Sequence, residues 1–254
     1  MKIQVLGGHG GLARGFQTTS YLIDDTLLVD AGAVAGTLSI EDQCRIDHIL
    51  ISHCHLDHIK DLAFLCDNCF GLRSAPFQVH THHTVKQIIF DHLLNDVIWP
   101  DFSKIPSLEK PTIRINGIEP EHTFRAGGFE ITPVPVNHPL DAMGFIIEKD
   151  NTAVLFTLDT ASTTRIWEVA SKFRNLKAIF TEVSFPNSLQ KVADLSHHHT
   201  PETFLKEMAR MPKDIPIILT HLKPNYREEI LNELRTADAS RVRVLEKDGQ
   251  FFNF

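Results

Sequence analysis

The segment ISHCHLDHIKDL, residues 51–62, places three histidines and an aspartate in the pattern H-x-H-x-D-H, directly after a short apolar run. Such a run is typical of a fully buried strand. His53 and His55 are two residues apart, so their side chains point the same way in an extended segment. Asp57 and His58 fall where the chain turns into a helix. Imidazole nitrogens and carboxylate oxygens suit zinc, manganese or iron, so the segment predicts a metal site rather than four solvated side chains.

Further metal-type ligands stand at the ends of three apolar strands downstream. PVPVNHP presents His138, AVLFTLDT presents Asp159 and IPIILTHLKP presents His221. Because α/β folds place their chemistry at the carboxyl ends of strands, we expect these side chains to meet the first segment at one edge of the fold.

The order of predicted strands and helices indicates two sheets with helices outside. The first quarter of the chain has the pattern of strands, and the last third alternates helix and strand. A helix is predicted over 84–97 with Thr84 as its cap, and the Pro-rich segment 98–111 is predicted to be a loop or lid. No linker or repeat interrupts the sequence, so we expect one domain over residues 1–254.

Composition and charge restrict the classes of function. The net charge of −7 argues against a general nucleic-acid binder, which needs a basic face. The sequence shows neither a signal-peptide pattern nor an apolar run of membrane-spanning length, and its four cysteines make no disulfide framework. We therefore expect no membrane association and a cytoplasmic location. CDNC at 66–69 is predicted to hold buried or half-buried free thiols.

The H-x-H-x-D-H pattern followed by His, Asp and His in this order resembles the metallo-β-lactamase superfamily, an αββα sandwich with a dinuclear site. The resemblance covers essentially the whole chain, and LLVDAG fits the family's aspartate behind the ligands, here Asp30. It implies two divalent metal ions, with zinc as the first choice and manganese or iron as alternatives. The implied ligands are His53, His55 and His138 for one ion, Asp57, His58 and His221 for the other, and Asp159 as the bridge.

Three further stretches resemble the class II cyclic-nucleotide phosphodiesterases, namely EVSFPN with LSHHHTP, THLKP, and HLLNDVIWPDF. This resemblance implies hydrolysis of cAMP or cGMP to the 5′-monophosphate by a hydroxide that bridges the metal ions, with His198 protonating the departing 3′ oxygen. The candidate catalytic residues are therefore His198, Asp57 and Asp159. The implied partner is a small cyclic nucleotide, and a homodimer is only an analogy drawn from the fold.

The chain departs from the family pattern close to the implied site. Leu158 precedes Asp159 where the family has glycine, and His197 and His199 flank His198 where the family has glycine and leucine. None of these departures removes a ligand. They change the space around the site, so they bear on the substrate more than on the metal.

Several residues near the motifs have more than one interpretation. Glu182 ends an apolar strand and is predicted to orient His198. Thr200 precedes a proline and can cap the helix that follows. Trp99 either offers an aromatic surface to a nucleobase or fills a structural corner.

Other histidines and glycines are assigned no chemistry. His197 and His199 are predicted to be solvated, and His80, His82 and His83 are predicted to lie in a solvated loop between a strand and a helix. The glycine-rich segment at 7–11 lacks the spacing of a P-loop or dinucleotide fingerprint, so a tight turn near the mouth of the site is expected.

Three other functions fit the same ligands. An RNase Z-like tRNA 3′-endonuclease shares the His-x-Thr element, but the acidic balance counts against tRNA binding. A lactone or thioester hydrolase of the same fold has no need of His198. A metal-dependent binding or sensor domain would hold metal without turnover. The sequence does not separate cAMP from cGMP, a 2′,3′-cyclic nucleotide or another phosphodiester, and it does not identify the native metal.

Overall fold

Two seven-stranded sheets form the centre of the protein in a computed structural model, which describes residues 1–235 and 240–254. The strands are β1 (Lys2–Gly7), β2 (Ser20–Ile23), β3 (Leu27–Val29), β4 (His48–Leu50), β5 (Phe77–His82), β6 (Ile113–Ile118), β7 (Phe124–Ala126), β8 (Phe129–Pro135), β9 (Met143–Lys149), β10 (Thr152–Phe156), β11 (Leu176–Glu182), β12 (Ile217–Thr220), β13 (Val242–Val244) and β14 (Phe251–Asn253). The helices are α1 (Val34–Thr37), α2 (Ile40–Gln43), α3 (Leu56–Ile59), α4 (Asp61–Asn68), α5 (His83–His92), α6 (Arg165–Ala170), α7 (Gln190–Ser196), α8 (Pro201–Met208) and α9 (Arg227–Arg235).

The two sheets are built alike, each with an antiparallel part and a parallel part. The first sheet has the order β14-β1-β2-β3-β4-β5-β6, and the second has the order β13-β12-β11-β10-β9-β8-β7. Strands β3 to β6 are parallel in the first sheet, and β10 to β13 are parallel in the second. The connections that leave the parallel strands carry most of the predicted metal ligands.

Side chains alternate between the space between the sheets and the space under the outer helices. On β10, Val154 and Phe156 belong to the core between the sheets, whereas Ala153 and Leu155 pack under the helices outside the second sheet. Both faces of the strand are therefore buried, which explains why its sequence is a continuous apolar run. Because outer helices also cover the first sheet, the αββα sandwich is confirmed.

An aromatic cluster between the sheets supports the end of β12. The rings of Phe156 and Phe180 stack at 4.8 Å, and the ring of Tyr21 lies 5.0 Å from that of Phe156. The Tyr21 hydroxyl donates to Thr220 Oγ1 at 2.9 Å. The residue after Thr220 is His221, so this packing fixes the backbone that presents a predicted ligand.

The helix predicted over 84–97 is shorter in the structure and ends at His92. It begins one residue earlier than predicted, and its cap is the His82 ring, which accepts from the Thr84 N–H at 3.3 Å. After its end, Asn95 Oδ1 accepts from the backbone N–H groups two and three residues on, at 3.0 and 2.7 Å. This local turn chemistry ends the helix although the apolar periodicity continues.

The solvated loop predicted for His80, His82 and His83 is wrong. His80 and His82 lie on β5, and His83 begins α5. His80 is half-buried, its Nε2 lies 3.1 Å from Nδ1 of His48, and its ring packs against Phe124 at 4.9 Å. Burial, followed by the neighbouring His48, lowers the pKa of His80 to about 4.

The Trp99 segment and the cysteines belong to the core outside the first sheet. Trp99 is half-buried and packs against Phe64 at 5.3 Å, which favours the structural corner over a base-binding surface. Cys66 and Cys69 are buried free thiols, and the Cys69 sulfur contacts that of Cys44. Among the residues described, no helix is long and apolar enough to span a bilayer.

Candidate metal centre

The predicted ligands follow strand ends that meet between the two sheets. In the first sheet, β4 ends shortly before His53. In the second sheet, β10 ends shortly before Asp159, β11 ends at Glu182, and β12 ends directly before His221. The structure brings together every metal ligand predicted from the sequence, together with His198.

Four residues at this edge have left-handed backbone conformations. Asp30, Leu158, His197 and His221 have φ angles of +54°, +56°, +55° and +61°. Residues with a Cβ rarely adopt this region, which costs roughly 1–3 kcal/mol at each position. Strain of this kind persists where the surrounding structure imposes it, and it is typical of functional sites.

Three imidazoles converge in a first group. His53 Nε2 lies 3.0 Å from His55 Nδ1, and His138 Nε2 lies 3.2 Å from the same atom. Zinc–nitrogen bonds of 2.0–2.1 Å in a tetrahedron separate the ligand nitrogens by about 3.3 Å. The three nitrogens therefore have nearly the spacing that a single ion imposes on its ligands.

A second group combines two imidazoles with a carboxylate. His221 Nε2 lies 3.4 Å from His58 Nε2 and 3.4 Å from Asp57 Oδ2. His58 Nε2 lies 3.8 Å from the same Asp57 oxygen. This group could hold one further ion with mixed nitrogen and oxygen ligands.

Asp159 stands between the two groups. Its Oδ2 lies 3.3 Å from His58 Nε2 and 3.7 Å from His53 Nε2. Its Oδ1 is buried, lies 3.3 Å from His221 Nε2, and receives no hydrogen bond from the residues described. A buried carboxylate oxygen without a donor is costly unless a cation compensates it, so the position fits a bridging metal ligand.

Asp30 orients two imidazoles, one in each group. His58 Nδ1 donates to Asp30 Oδ2 at 2.6 Å. The Ser52 hydroxyl donates to the same oxygen at 2.8 Å and lies 2.9 Å from His53 Nδ1, from which it can accept. Both rings therefore carry a proton on Nδ1 and turn Nε2 toward the site, which is the usual arrangement behind a metal-binding histidine.

The rings of His138 and His221, two further predicted ligands, are also oriented through their Nδ1 atoms. His138 Nδ1 donates to the carbonyl oxygen of His197 at 3.0 Å. His221 Nδ1 lies 3.0 Å from the hydroxyl of Ser184, which donates to Glu182 Oε2 at 2.7 Å. Each of these rings turns its Nε2 toward the site.

Burial keeps the first group neutral. It lowers the pKa of His53 well below the ordinary value and that of His138 to about 4. Nearby His58 and His198 add to this effect at His53 and His138, respectively. A neutral imidazole has the lone pair that a metal ion needs.

In the second group, the surrounding carboxylates favour the protonated, positively charged form of His58. Burial opposes protonation of His58, but the carboxylates of Asp159, Asp30 and Asp57 raise its pKa well above the ordinary value. Although burial acts against ionisation, neighbouring histidines hold the pKa values of Asp57 and Asp159 well below their usual range. The ionised carboxylates of Asp57 and Asp159 favour a divalent cation at this place.

His198 lies beside both groups and is paired with Glu182. Its Nδ1 donates to Glu182 Oε1 at 2.7 Å, an oxygen that also accepts from the Thr160 N–H at 3.1 Å. One ring nitrogen lies within 4.8 Å of an Asp159 oxygen and a His221 nitrogen. Burial would lower the pKa of His198, but Glu182 raises it above the ordinary value. The contact predicted between Glu182 and His198 is present.

The prediction that His199 is solvated is wrong, whereas the His197 ring is partly exposed. The carbonyl of His197 orients His138, and its ring contacts Asn137 Oδ1 at 3.0 Å. His199 is buried, with Nδ1 3.1 Å from Thr203 Oγ1. Thr200 caps α8, as predicted.

Sequence reasoning missed the contributions of Ser52, Ser184 and Gly10. A Cβ at Gly10 would lie 2.5 Å from the His221 carbonyl oxygen and 2.8 Å from its Nδ1, so the glycine segment is a wall of the site. Ser184 stands in the motif EVSF and could have been identified there. Ser52 and Gly10 belong to no sequence motif that would indicate their contacts with the ligands.

Comparison with known proteins identifies the family. Residues 26–222 match the model described as a beta-lactamase superfamily domain. A probable 3′,5′-cyclic-nucleotide phosphodiesterase of Yersinia pestis is 25% identical over 100% of this chain and 89% of its own length. The 3′,5′-cyclic-nucleotide phosphodiesterase of Schizosaccharomyces pombe is 24% identical over 91% and 75%, respectively. The crystal structure of unliganded yeast PDE1 shares the fold, with a TM-score of 0.82, 18% identity and 98% of each chain covered.

The family and the clustered ligands together support a metal-dependent hydrolase. The chain belongs to the beta-lactamase superfamily, as the H-x-H-x-D-H pattern predicts.

Proposed function

We propose that the protein is a dinuclear metal-dependent phosphodiesterase that hydrolyses 3′,5′-cyclic nucleotides to 5′-monophosphates. The observation that carries the proposal is the His198–Glu182 pair, which stands beside two groups of metal-type ligands. Hydrolysis of a cyclic phosphodiester expels an alkoxide, and a histidine at this place can donate a proton to it. The names of the Yersinia pestis and Schizosaccharomyces pombe relatives support the substrate class.

The proposed metal ligands are the residues whose geometry fits two ions. The orphan oxygen of Asp159 and the free Nε2 atoms of the oriented imidazoles support this assignment. Zinc is the proposed ion because nitrogen and oxygen ligands suit it, with manganese and iron as alternatives. The proposed ligands are His53, His55 and His138 for one ion, Asp57, His58 and His221 for the other, and Asp159 between them.

Two divalent ions in such a site supply positive charge for the phosphate and lower the pKa of water, so that water becomes a nucleophile at neutral pH. The side chains of the protein supply the proton for the leaving group and orient its donor. Attack of water forms a new P–O bond with loss of a proton from the water, and the bond from phosphorus to the 3′ oxygen breaks as His198 donates a proton to that oxygen. Glu182 holds the His198 ring by Nδ1, which leaves Nε2 as the donor.

The same ligand set gives His198 a second interpretation, as an extra ligand grouped with Asp159 and His221. Its hydrogen bond to Glu182 occupies Nδ1, and Nε2 remains for either role. The metal content of a His198→Ala variant separates the two roles, because loss of a proton donor leaves the ions in place.

We further propose that residues 1–254 act as one hydrolase domain.

The test is turnover by metal-replete protein of cAMP, cGMP, bis(p-nitrophenyl) phosphate and a panel of lactones. His198→Ala is measured beside His92→Ala, which removes an exposed histidine at the end of α5. We expect cyclic-nucleotide turnover to fall by about 10²-fold or more in His198→Ala at unchanged metal content, and to stay at the wild-type level in His92→Ala.

Turnover of the artificial diester alone would reject the cyclic-nucleotide substrate and keep the metal site. Lactone turnover that is indifferent to His198 would place the protein among the lactone hydrolases. Bound metal without turnover of any substrate would favour a binding domain.

A further inference from the structure

Lys223 is a half-buried cation two residues after His221. Its Nζ donates to the carbonyl oxygen of Gly10 at 2.9 Å. An ammonium group has three donors, so this bond uses only one of them. Within residues 1–235 and 240–254, no carboxylate lies at ion-pair distance from Lys223.

Two other half-buried lysines of the protein, Lys60 and Lys149, are paired with acids. Lys60 Nζ lies 2.7 Å from Asp61 Oδ1, and Lys149 Nζ lies 2.6 Å from Asp24 Oδ2. Such pairing is the usual way to compensate a cation that is partly removed from water. Lys223 differs from these two lysines because, among the residues described, its ammonium group donates to a neutral carbonyl and faces no carboxylate.

The surroundings of Lys223 connect it to the catalytic side of the metal centre. Its Nζ lies 5.1 Å from the ring centre of Phe185, and the Phe185 ring lies 5.8 Å from that of His198. His198 is close enough to experience the positive charge of Lys223. The ring of Tyr226 lies 6.3 Å from Phe185 on another side. The Phe185 ring therefore neighbours both the proposed proton donor and the cation.

We infer that Lys223 binds an anionic oxygen of the phosphate in the active site, and that it binds a 5′-monophosphate more strongly than a cyclic diester. The inference rests on the proposed function for the identity of the nucleotide, but phosphate binding tests it separately. A phosphate monoester carries close to two negative charges at neutral pH and a diester carries one, so a nearby cation attracts the product more.

The experiment measures binding to metal-loaded protein by calorimetry, with 5′-AMP and inorganic phosphate as the probes. Lys223→Gln removes the charge and keeps a donor for Gly10, Lys223→Met removes both, and Lys223→Arg keeps both. Lys177→Gln is the matched control, because Lys177 is exposed at the end of β11 opposite Glu182. All variants are compared at equal metal content.

We expect Lys223→Gln to weaken the binding of 5′-AMP by about tenfold or more, the effect of one charge-assisted hydrogen bond. Lys223→Arg should retain most of the affinity, and Lys177→Gln should bind like the wild type. The KM for cyclic nucleotide should rise less than the inhibition constant of 5′-AMP.

Phosphate affinity that is unchanged in Lys223→Gln but reduced in Lys223→Met would overturn the inference, because Lys223 would then only tether the glycine segment. Cyclic-nucleotide turnover with phosphate binding independent of Lys223 would also overturn it and leave the proposed function intact. Phosphate binding that depends on Lys223 in a protein without cyclic-nucleotide turnover would support it and reject the proposed function.

Discussion

Two groups of histidines bring ring nitrogens close together in this protein, with different consequences. At the metal centre, His53 Nε2 lies 3.0 Å from His55 Nδ1, and between β4 and β5, His48 Nδ1 lies 3.1 Å from His80 Nε2. The second pair has an aromatic neighbour in Phe124, and a single N–H···N bond satisfies the two facing nitrogens. At the metal centre, by contrast, additional imidazoles and carboxylates surround the His53–His55 pair.

The comparison shows that closeness of imidazoles does not by itself make a metal site. Around His80, burial and the neighbouring ring only lower the pKa. Around His58, the carboxylates outweigh burial and raise it. The carboxylates that raise the pKa of His58 also favour a divalent cation, which binds the ring in place of its Nε2 proton.

The largest expected effect follows from removing the carboxylate shared by the two groups of the centre. Asp159→Ala should lower cyclic-nucleotide turnover at least about 10³-fold, because the bridge and the compensating charge are both lost. Bound metal, measured by elemental analysis, should fall from the two ions per chain that we propose to at most one. His80→Phe is the matched change in the other histidine group and should keep both ions. Full metal content in Asp159→Ala would contradict the bridging role.

Glu182→Gln tests the proton donor with a side chain of the same shape. Without the carboxylate charge, the orientation and proton affinity of His198 are weakened, and kcat should fall about 10²-fold. Metal content should stay at the wild-type value because Glu182 is not one of the proposed ligands and reaches His221 through the Ser184 hydroxyl. Glu202→Gln, which removes an exposed glutamate on α8, serves as the control. An equal loss in both variants would show that charge alone, and not the contact with His198, matters.

Asp30→Asn tests the support behind the ligands. The amide keeps an acceptor oxygen but loses the charge that holds the His58 Nδ1 proton, so metal affinity should fall roughly 10- to 100-fold. Competition with a chelator measures the effect. Wild-type affinity in the variant would mean that Asp30 matters for folding alone.

The smallest effect concerns the pair outside the centre. The folded-state pKa of His80, about 4, lies below the ordinary value, so the unfolded chain binds more protons between these two values. The free energy of unfolding should therefore fall as the pH drops from about 7 to about 5, by about 1 kcal/mol after allowance for partial exposure. Denaturant unfolding should show a shallower pH dependence for His80→Phe than for the wild type or His92→Ala. Parallel curves for all three proteins would remove His80 from the explanation.

The sequence was most informative where the chemistry restricts the residue types. Buried strands are continuous apolar runs, and a histidine or aspartate directly after such a run has few roles other than ligand or catalyst. The αββα fold follows from the same runs, because strands buried on both faces need helices on either side. Every ligand predicted by this reasoning lies at the centre.

The remaining features depend on partners that are distant in sequence. His80 has the same sequence pattern as a loop histidine until β4 places His48 beside it. The helix predicted to reach residue 97 ends early because Asn95 forms a turn that competes with continued helix. The contribution of His197 to the site comes from its carbonyl oxygen, which every residue type possesses. No residue pattern distinguishes these cases before the fold is known.

The contact of Gly10 with His221 has a consequence for mutational scanning of this protein. Any side chain at position 10 would displace the ring and carbonyl of His221, so every substitution there should score as severely as the loss of a ligand. At Gly15, no atom lies within 4 Å of the position of a Cβ, so only the φ of +83° disfavours substitution, and the mutational scores there should be milder. A map of essential positions would therefore include a residue without a functional group, and sensitivity at Gly10 would report the space that the site requires.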